Sequence, residues 1–140
     1  MKTTESTVKQ SQSLLRLVYG LVPIVAGLDK FTNLLTDWSQ YLGPGLTSAL
    51  PFSADVFFMI IGVVEIAAGL LVLFKTQLGA YVVAAWLVLV ALSLLISGYY
   101  DVAVRDLVMA AGAYTLARLS QVSAVAEVSS KKHRVATASI

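Results

Sequence analysis

The chain alternates long apolar runs with short polar segments. The most informative run covers residues 57–74, where Glu65 is the one charged residue. A run this long and this apolar is typical of a membrane-spanning helix. Glu65 lies near its middle, where an ionised side chain costs about 2.5–3.5 kcal/mol on insertion scales. The pattern therefore predicts a transmembrane helix whose carboxylate needs either a charged partner or a proton.

Three further runs have a similar length, and short turns at residues 75–77 and 98–100 make neighbouring runs antiparallel. We predict membrane spans at about residues 14–35, 54–74, 78–97 and 101–119. A polar N-terminal tail at residues 1–13, expected to be loose, and a polar C-terminal tail at residues 120–140 flank them. The fold class expected from this pattern is an all-α membrane protein, with four antiparallel transmembrane helices in a bundle.

The longest predicted loop covers residues 36–53. Trp38 and Tyr41 are aromatic residues of the kind that anchor a chain at the lipid–water interface. The sequence favours a short interfacial helix around them, ended by Gly43-Pro44-Gly45. Ser53 or Asp55 then caps the second span.

Composition supports an integral membrane protein with one small domain. Of the 140 residues, 58% are hydrophobic and 13% are charged, against about 25% charged residues in ordinary soluble domains. There is no cysteine, which excludes disulfides, thiolate metal sites and cysteine nucleophiles. His133, the one histidine, lies in the polar tail, so we expect neither a metal site nor a haem between the spans. No catalytic sequence motif is recognisable, which leaves enzymatic activity undecided.

The net charge of +2 reflects membrane topology, and no nucleic-acid partner is expected. With both termini in the cytoplasm, eight of the ten Lys and Arg residues fall on the inner side, as the positive-inside rule requires. These eight are Lys2, Lys9, Arg16, Lys75, Arg118, Lys131, Lys132 and Arg134. The other two, Lys30 and Arg105, fall within predicted spans. We therefore predict four spans with the N- and C-termini inside.

Five charged residues form the candidate site: Asp29, Lys30, Glu65, Arg105 and Asp106. The predicted topology places them in the middle and outer half of the membrane, on spans one, two and four. Their formal charges sum to −1, so either one acid is protonated or water reaches the group. We therefore expect a polar cavity that opens to the outer side and is lined by these three spans. Two interpretations stay open: an ion-pair network that fixes helix register, or a site for a proton, a small anion or a polar head group.

Small residues on the predicted spans indicate close helix packing. Gly20 and Gly27 share a helical stripe with Lys30, and Gly62 and Gly69 share the face of Glu65. Such stripes let two backbones approach within one chain. They also allow two copies of the chain to associate as a homo-oligomer.

These residues occur in an order that resembles a known family. Gly27-Leu28-Asp29-Lys30-Phe31 in the first span is followed by a Gly62–Leu71 segment centred on Glu65, and then by Arg105-Asp106 and Leu116-Ala117-Arg118-Leu119. This pattern, over about residues 14–119, is similar to the DoxX-like family of small bacterial four-helix membrane proteins. The resemblance implies a multi-pass protein of the bacterial cytoplasmic (inner) membrane. It also implies that Lys30, Glu65, Arg105 and Asp106 match recurrent charged positions of the family.

The resemblance implies a function beside a redox enzyme. The family is named after a subunit of a membrane quinone-linked oxidoreductase related to thiosulfate:quinone oxidation, and many members look like accessory or anchoring partners. We therefore expect a subunit or partner of a quinone-linked system, in contact with the lipid bilayer and with a soluble or membrane redox partner. No cofactor is evident from the residues, and quinone enters by the resemblance alone. A scaffold that recruits a soluble partner through the C-terminal tail, and a carrier of protons or small solutes, are the alternatives.

Overall fold

The computed structural model describes residues 2–139, and within that range it contains helices and no β-strand. The helices are α1 (Lys2–Thr32), α2 (Pro44–Ala49), α3 (Ala54–Phe74), α4 (Thr76–Ile96) and α5 (Tyr100–Ala138). A 3-10 turn, Trp38–Tyr41, lies between α1 and α2. Four helices are long enough to form the body of the protein, and α2 is a short element within the loop that joins α1 to α3.

The four long helices pack mainly as two pairs, α1 with α3 and α4 with α5. Contacts between α3 and α4, and fewer between α1 and α5, join the pairs. Hydrogen bonds fix the two ends of the molecule. At the loop end, the Gly43 N–H donates to Ser97 Oγ (3.2 Å) and the Tyr99 hydroxyl donates to the Gln40 carbonyl (2.5 Å). At the opposite, tail end, the Arg16 guanidinium donates to the Leu73 carbonyl (Nε to O, 3.1 Å).

Two of the long helices are apolar and long enough to cross a membrane by length and composition, α3 with a mean hydropathy of 2.7 and α4 with 2.5. The other two, α1 and α5, have shorter apolar stretches that charged residues bound. Those residues are Arg16, Asp29 and Lys30 in α1 and Arg105, Asp106 and Arg118 in α5. The helical fold and the two apolar helices agree with a membrane-embedded protein.

The interior is built from small side chains and is best packed toward the tail end. One buried cluster joins all four helices there: Tyr19, Ala68, Val72, Ala80, Val83, Ala113, Leu116 and Ala117. Toward the loop end, the buried cluster contains only Ala91, Leu94 and Ala103. Alanine at helix crossings lets the backbones approach closely. The buried apolar core is therefore larger toward the tail end than toward the loop end.

The polar tails are helical, which corrects the expectation of a loose N-terminus. Residues 2–13 belong to α1, and α5 continues through the predicted C-terminal tail as far as Ala138. Neither tail contains Gly or Pro, so nothing in the backbone stops a helix that the preceding or following span has already nucleated. Gln12 joins the two extensions at their base, because its side-chain amide bonds to Ser120 Oγ (3.3 Å) and accepts from Ser123 Oγ (2.7 Å).

The loop also differs from its sequence interpretation in one respect. Gly43 and Pro44 do not merely end a helix. Pro44 occupies the first turn of α2, where the missing N–H of proline leaves no donor unpaired. Ser53 caps α3 as predicted, since its hydroxyl accepts from the Val56 N–H (3.4 Å), while Asp55 lies in the first turn.

Candidate functional site

An ion pair joins α1 to α3 inside the protein. Lys30 Nζ lies 2.6 Å from Glu65 Oε2, and the two side chains are 4% and 15% exposed. It is the one ion pair that the structure shows among the side chains of residues 3–139. Each charge therefore has a partner at hydrogen-bond distance, which offsets part of the cost of holding an ionised group away from water.

Glycine brings the two helices close enough for this pair to form. Gly27 and Gly62 face each other one turn away from Lys30 and Glu65 respectively. A Cβ added to Gly62 would lie 2.6 Å from the Gly27 carbonyl oxygen, closer than van der Waals contact allows. Any larger residue at either position would push the backbones apart. The crossing thus fixes the register in which Lys30 and Glu65 meet.

Asp29 does not belong to this pair, although it precedes Lys30 in sequence. Its Oδ1 accepts from the backbone N–H groups of Leu34 (3.0 Å) and Leu35 (2.9 Å), and its Oδ2 accepts from Trp38 Nε1 (2.8 Å). Asp29 is 5% exposed, and its carboxylate holds the chain where it leaves α1. Consecutive helical residues point about 100° apart, so the two charges serve different neighbours.

Trp38 connects the loop to the ion pair. While its indole N–H bonds to Asp29, its ring lies under Lys30 Nζ, 3.7 Å from the ring centroid. That distance and position are typical of a cation–π contact. Tyr41 packs beside it at 6.2 Å between ring centroids. The sequence interpretation treated Trp38 as an interfacial anchor and missed its contact with Lys30, which depends on the path of the loop.

A cavity of about 430 Å³ opens beside the ion pair. All four long helices and the loop contribute to its walls. The polar and charged lining residues are Lys30, Thr36, Trp38, Tyr41, Glu65, Trp86, Ser93, Arg105 and Asp106. The remaining walls are aliphatic or aromatic, including Phe57, Phe58 and Ile61. The sequence argument anticipated that spans one, two and four, which correspond to α1, α3 and α5, line such a cavity. It did not anticipate the contribution of α4, which is the third span.

Arg105 and Asp106 reach the cavity without joining the ion pair. Asp106 is half-buried and Arg105 is exposed, and neither lies within ion-pair distance of another described side chain. Lys30 alone therefore holds Glu65. The cavity wall carries two acids and two bases, which balance formally. The excess negative charge expected from the sequence belongs to Asp29, which hydrogen bonds satisfy outside the cavity.

Trp86 differs from the charged lining residues because its polar group is an indole N–H. It lies at the middle of α4 and lines the cavity, and its Nε1 is buried without a hydrogen-bond acceptor among residues 2–139. The sequence interpretation assigned Trp86 to packing. A signal was available, since tryptophan in membrane proteins concentrates near the interfaces and Trp86 lies ten residues from either end of its helix.

Comparison with known proteins assigns the chain to a family. The DoxX family model matches residues 11–98, which is more than half of the chain. This range contains Lys30, Trp38, Glu65 and Trp86, and it ends before Arg105. Neither the curated proteins nor the solved structures contain a match. On the extent of the family match, the chain belongs to the DoxX family.

Proposed function

We propose that this protein is a multi-pass subunit or accessory partner of a quinone-linked redox system in the bacterial inner membrane. Its cavity would bind the head group of a quinone or a similar small ligand. One observation carries the proposal: the buried Lys30–Glu65 pair forms part of the wall of an otherwise largely apolar cavity. Ionisable groups inside a membrane protein are functional candidates by default, because they are expensive to keep there.

The proposed topology has four antiparallel spans in a bundle, with both termini in the cytoplasm. Its support is that α1 and α5 run beside the two apolar helices, while Lys30 and Asp106 line the cavity. Arg16 bonds to the Leu73 carbonyl at the tail end, where the basic residues concentrate. Basic residues favour the cytoplasmic side of a membrane. In this orientation the cavity lies in the half of the membrane away from the cytoplasm.

The cavity suits a flat ring with an apolar tail. Its volume of about 430 Å³ falls within the range of roughly 300–1,000 Å³ that small-molecule sites occupy. Phe57 and Phe58 offer apolar aromatic surface, and Lys30 offers a charged hydrogen-bond donor. A quinone supplies two-electron, two-proton redox chemistry when bound. On this proposal Lys30 orients a carbonyl oxygen, and Glu65 takes or returns a proton at its carboxylate.

The electrons must come from another protein in this scheme. The sequence has no cysteine, and its one histidine, His133, lies near the end of α5 outside the predicted spans. The spans therefore contain neither the cysteine that holds iron–sulfur clusters nor the histidine that usually holds haem inside a membrane. An accessory role beside a redox enzyme fits this composition better than independent catalysis.

Substitution of the charged residues tests the proposal. Quinone reduction and thiosulfate oxidation are measured in membranes that contain wild-type protein, Glu65→Gln or Arg105→Ala. We expect Glu65→Gln to lower the rate at least tenfold and Arg105→Ala to lower it less, because Arg105 is more exposed. Glu127→Gln, an exposed carboxylate of the α5 extension, is the matched control. Wild-type rates in both cavity variants would remove the proposed site.

A scaffold function is the second candidate, and the α5 extension favours it. Residues 121–138 are helical and almost fully exposed, and they contain the basic segment Lys131-Lys132-His133-Arg134. Deletion of residues 125–140 leaves Ser120 and Ser123 in place, so the bonds to Gln12 survive. If the scaffold function is right, this deletion releases a co-purifying soluble partner while Glu65→Gln retains it. Retention of the partner by the truncated protein would exclude the tail as its binding site.

A further inference from the structure

The seam between α3 and α4 is closed near their turn and becomes part of the cavity wall toward the loop end. Near the turn, Gly79 lies against Val72, because a Cβ added to Gly79 would be 2.5 Å from the Val72 Cα. Farther along, Ile61 on α3 and Leu89 on α4 both line the cavity. Ile61 lies eleven residues before Val72 and Leu89 lies ten residues after Gly79, so the two are at about the same depth in this antiparallel pair.

Leu89 lies where the cavity meets the outer surface of the bundle. It lines the cavity and is nevertheless 60% exposed. Phe57 and Ile61 line the cavity from α3, and Ile61 lies about 20° around that helix from Val72, on the side that faces α4. We call these three apolar residues, Phe57, Ile61 and Leu89, the side opening. In the proposed topology the side opening faces the lipid acyl chains.

We propose that the cavity binds a ligand with a hydrocarbon chain, and that this chain passes through the side opening into the surrounding lipid. The polar ring of the ligand stays beside Lys30 and Glu65. This inference rests on the proposed ligand-binding function and specifies the ligand class and its path. The ligand is an amphiphile dissolved in the membrane, which enters from the lipid, and not a small solute that enters from water.

The loop lies across the other end of the cavity. Four loop residues line the cavity: Thr36, Trp38, Tyr41 and Leu42. Hydrogen bonds hold this segment on both sides, since Trp38 donates to Asp29 at the end of α1 and the Gly43 N–H donates to Ser97 just after α4. A ligand from the water outside the membrane would have to displace this bonded segment. A ligand from the lipid would not.

The other seams between neighbouring helices suit a hydrocarbon chain less well. Between α1 and α3, Gly27 and Gly62 bring the backbones into contact one turn from the ion pair. Between α4 and α5, Ala91 is completely buried in a cluster that both helices form. Between α1 and α5, the cavity wall carries Arg105 and Asp106, and a hydrocarbon chain beside these charged groups would displace their water at a cost. The α3–α4 seam is therefore the apolar route out of the cavity.

The first test narrows the side opening. Binding of decylbenzoquinone, which has a long chain, and of methylbenzoquinone, which has none, is measured with purified full-length protein in lipid nanodiscs. We expect Leu89→Trp to weaken decylbenzoquinone binding by about tenfold, because the indole crowds the path of the chain, and to change methylbenzoquinone binding by less than about twofold. Leu92→Trp, a 50% exposed position of α4 that does not line the cavity, is the matched control and should change neither affinity.

The second test locates the chain in the unaltered protein. The probe is decylbenzoquinone with a photoactivatable diazirine at the middle of its chain, and mass spectrometry maps the adducts that excess decylbenzoquinone suppresses. We expect these adducts on residues 57–61 of α3 and 86–93 of α4. Suppressed adducts confined to residues 26–30 and 102–106, between α1 and α5, or to residues 36–42 of the loop would overturn the side opening as the path of the chain.

The outcomes separate this inference from the proposed function. Wild-type affinity of Leu89→Trp for decylbenzoquinone, or an equal loss of affinity for both probes, would overturn the role of the side opening. If Glu65→Gln still weakened decylbenzoquinone binding in that case, the proposed function would stand. Wild-type protein that bound neither probe and gave no suppressible adduct would overturn the proposed function and the side opening together.

Discussion

The two ends of the molecule are built on opposite principles. At the tail end, small apolar side chains fill the space between the helices, and Val72, Leu116 and Ala117 are completely buried. At the loop end, a cavity of about 430 Å³ takes the place of such a core, and an ion pair and aromatic side chains form its walls. Close packing leaves no room for a ligand, and a cavity gives up packing contacts. We infer that the buried core toward the tail end stabilises the fold, whereas the loop end carries the cavity on which the proposed function depends.

Hydrogen bonds between helices show the same division. At the tail end, the Tyr19 hydroxyl donates to the Met109 carbonyl (2.8 Å) beside Gly112, where a Cβ could not fit against the tyrosine. This bond joins apolar surfaces that already contact one another. At the loop end, the Lys30–Glu65 pair joins α1 to α3, and the Asp29–Trp38 bond joins the loop to the end of α1. Charged side chains therefore contribute more of the bonds between segments at the loop end than at the tail end.

The largest expected effect comes from removing one charge of the ion pair. Lys30→Met leaves Glu65 buried without its partner, which should lower the free energy of unfolding by about 3–5 kcal/mol. Lys30→Met combined with Glu65→Met should recover most of that loss, because neither charge remains. Unfolding in detergent micelles measures both variants. Lys75→Met, an exposed lysine at the tail end, is the control and should change the value by less than about 0.5 kcal/mol.

A single Lys30→Met variant as stable as wild type would contradict this view of the loop end. It would mean that the pair adds no more to stability than a surface ion pair does. The double variant then shows whether the two charges interact. If the changes in the free energy of unfolding are additive, Lys30 and Glu65 act as two independent charges.

The next largest effect tests close packing toward the tail end. A side chain on Gly69 would collide with the Gly20 carbonyl and with Ile24 Cγ1, the latter at 2.7 Å from an added Cβ. Gly69→Val should therefore lower the free energy of unfolding by about 1–3 kcal/mol. Gly45→Ala in α2 is the control, because an added Cβ there meets nothing within 4 Å. Equal stability of the two variants would show that the α1–α3 crossing can relax without loss.

The smallest effect separates the two tryptophans. Trp38→Phe removes the donor to Asp29, which keeps its other donors, so we expect a loss of about 1 kcal/mol and faster proteolysis within residues 33–53. Trp86→Phe should cost less stability, because its N–H has no acceptor among residues 2–139. Limited proteolysis with mass spectrometry measures loop cleavage. Faster cleavage in Trp86→Phe than in Trp38→Phe would contradict the role of the Trp38–Asp29 bond in holding the loop.

Part of this architecture is predictable because it depends on local patterns. Runs of apolar residues predicted the long helices, and Ser53 predicted the start of α3. The family assignment followed from short motifs in the right order, and the family match confirmed it. The N-terminal tail was misjudged because its polar composition was taken to indicate a loose chain. Residues without Gly or Pro can extend a helix that is already formed.

The sequence by itself determined where the four long helices lie within residues 14–119, which of them are apolar and which charges would be expensive to bury. Each of these properties depends on residue type and on spacing along one helix. Only the tertiary structure decided which charges meet: Lys30 contacts Glu65, while its neighbour Asp29 turns to the loop. Only the tertiary structure also left Trp86 Nε1 without an acceptor. These outcomes depend on helix rotation and on the path of a loop, and both are set by contacts between residues far apart in the chain.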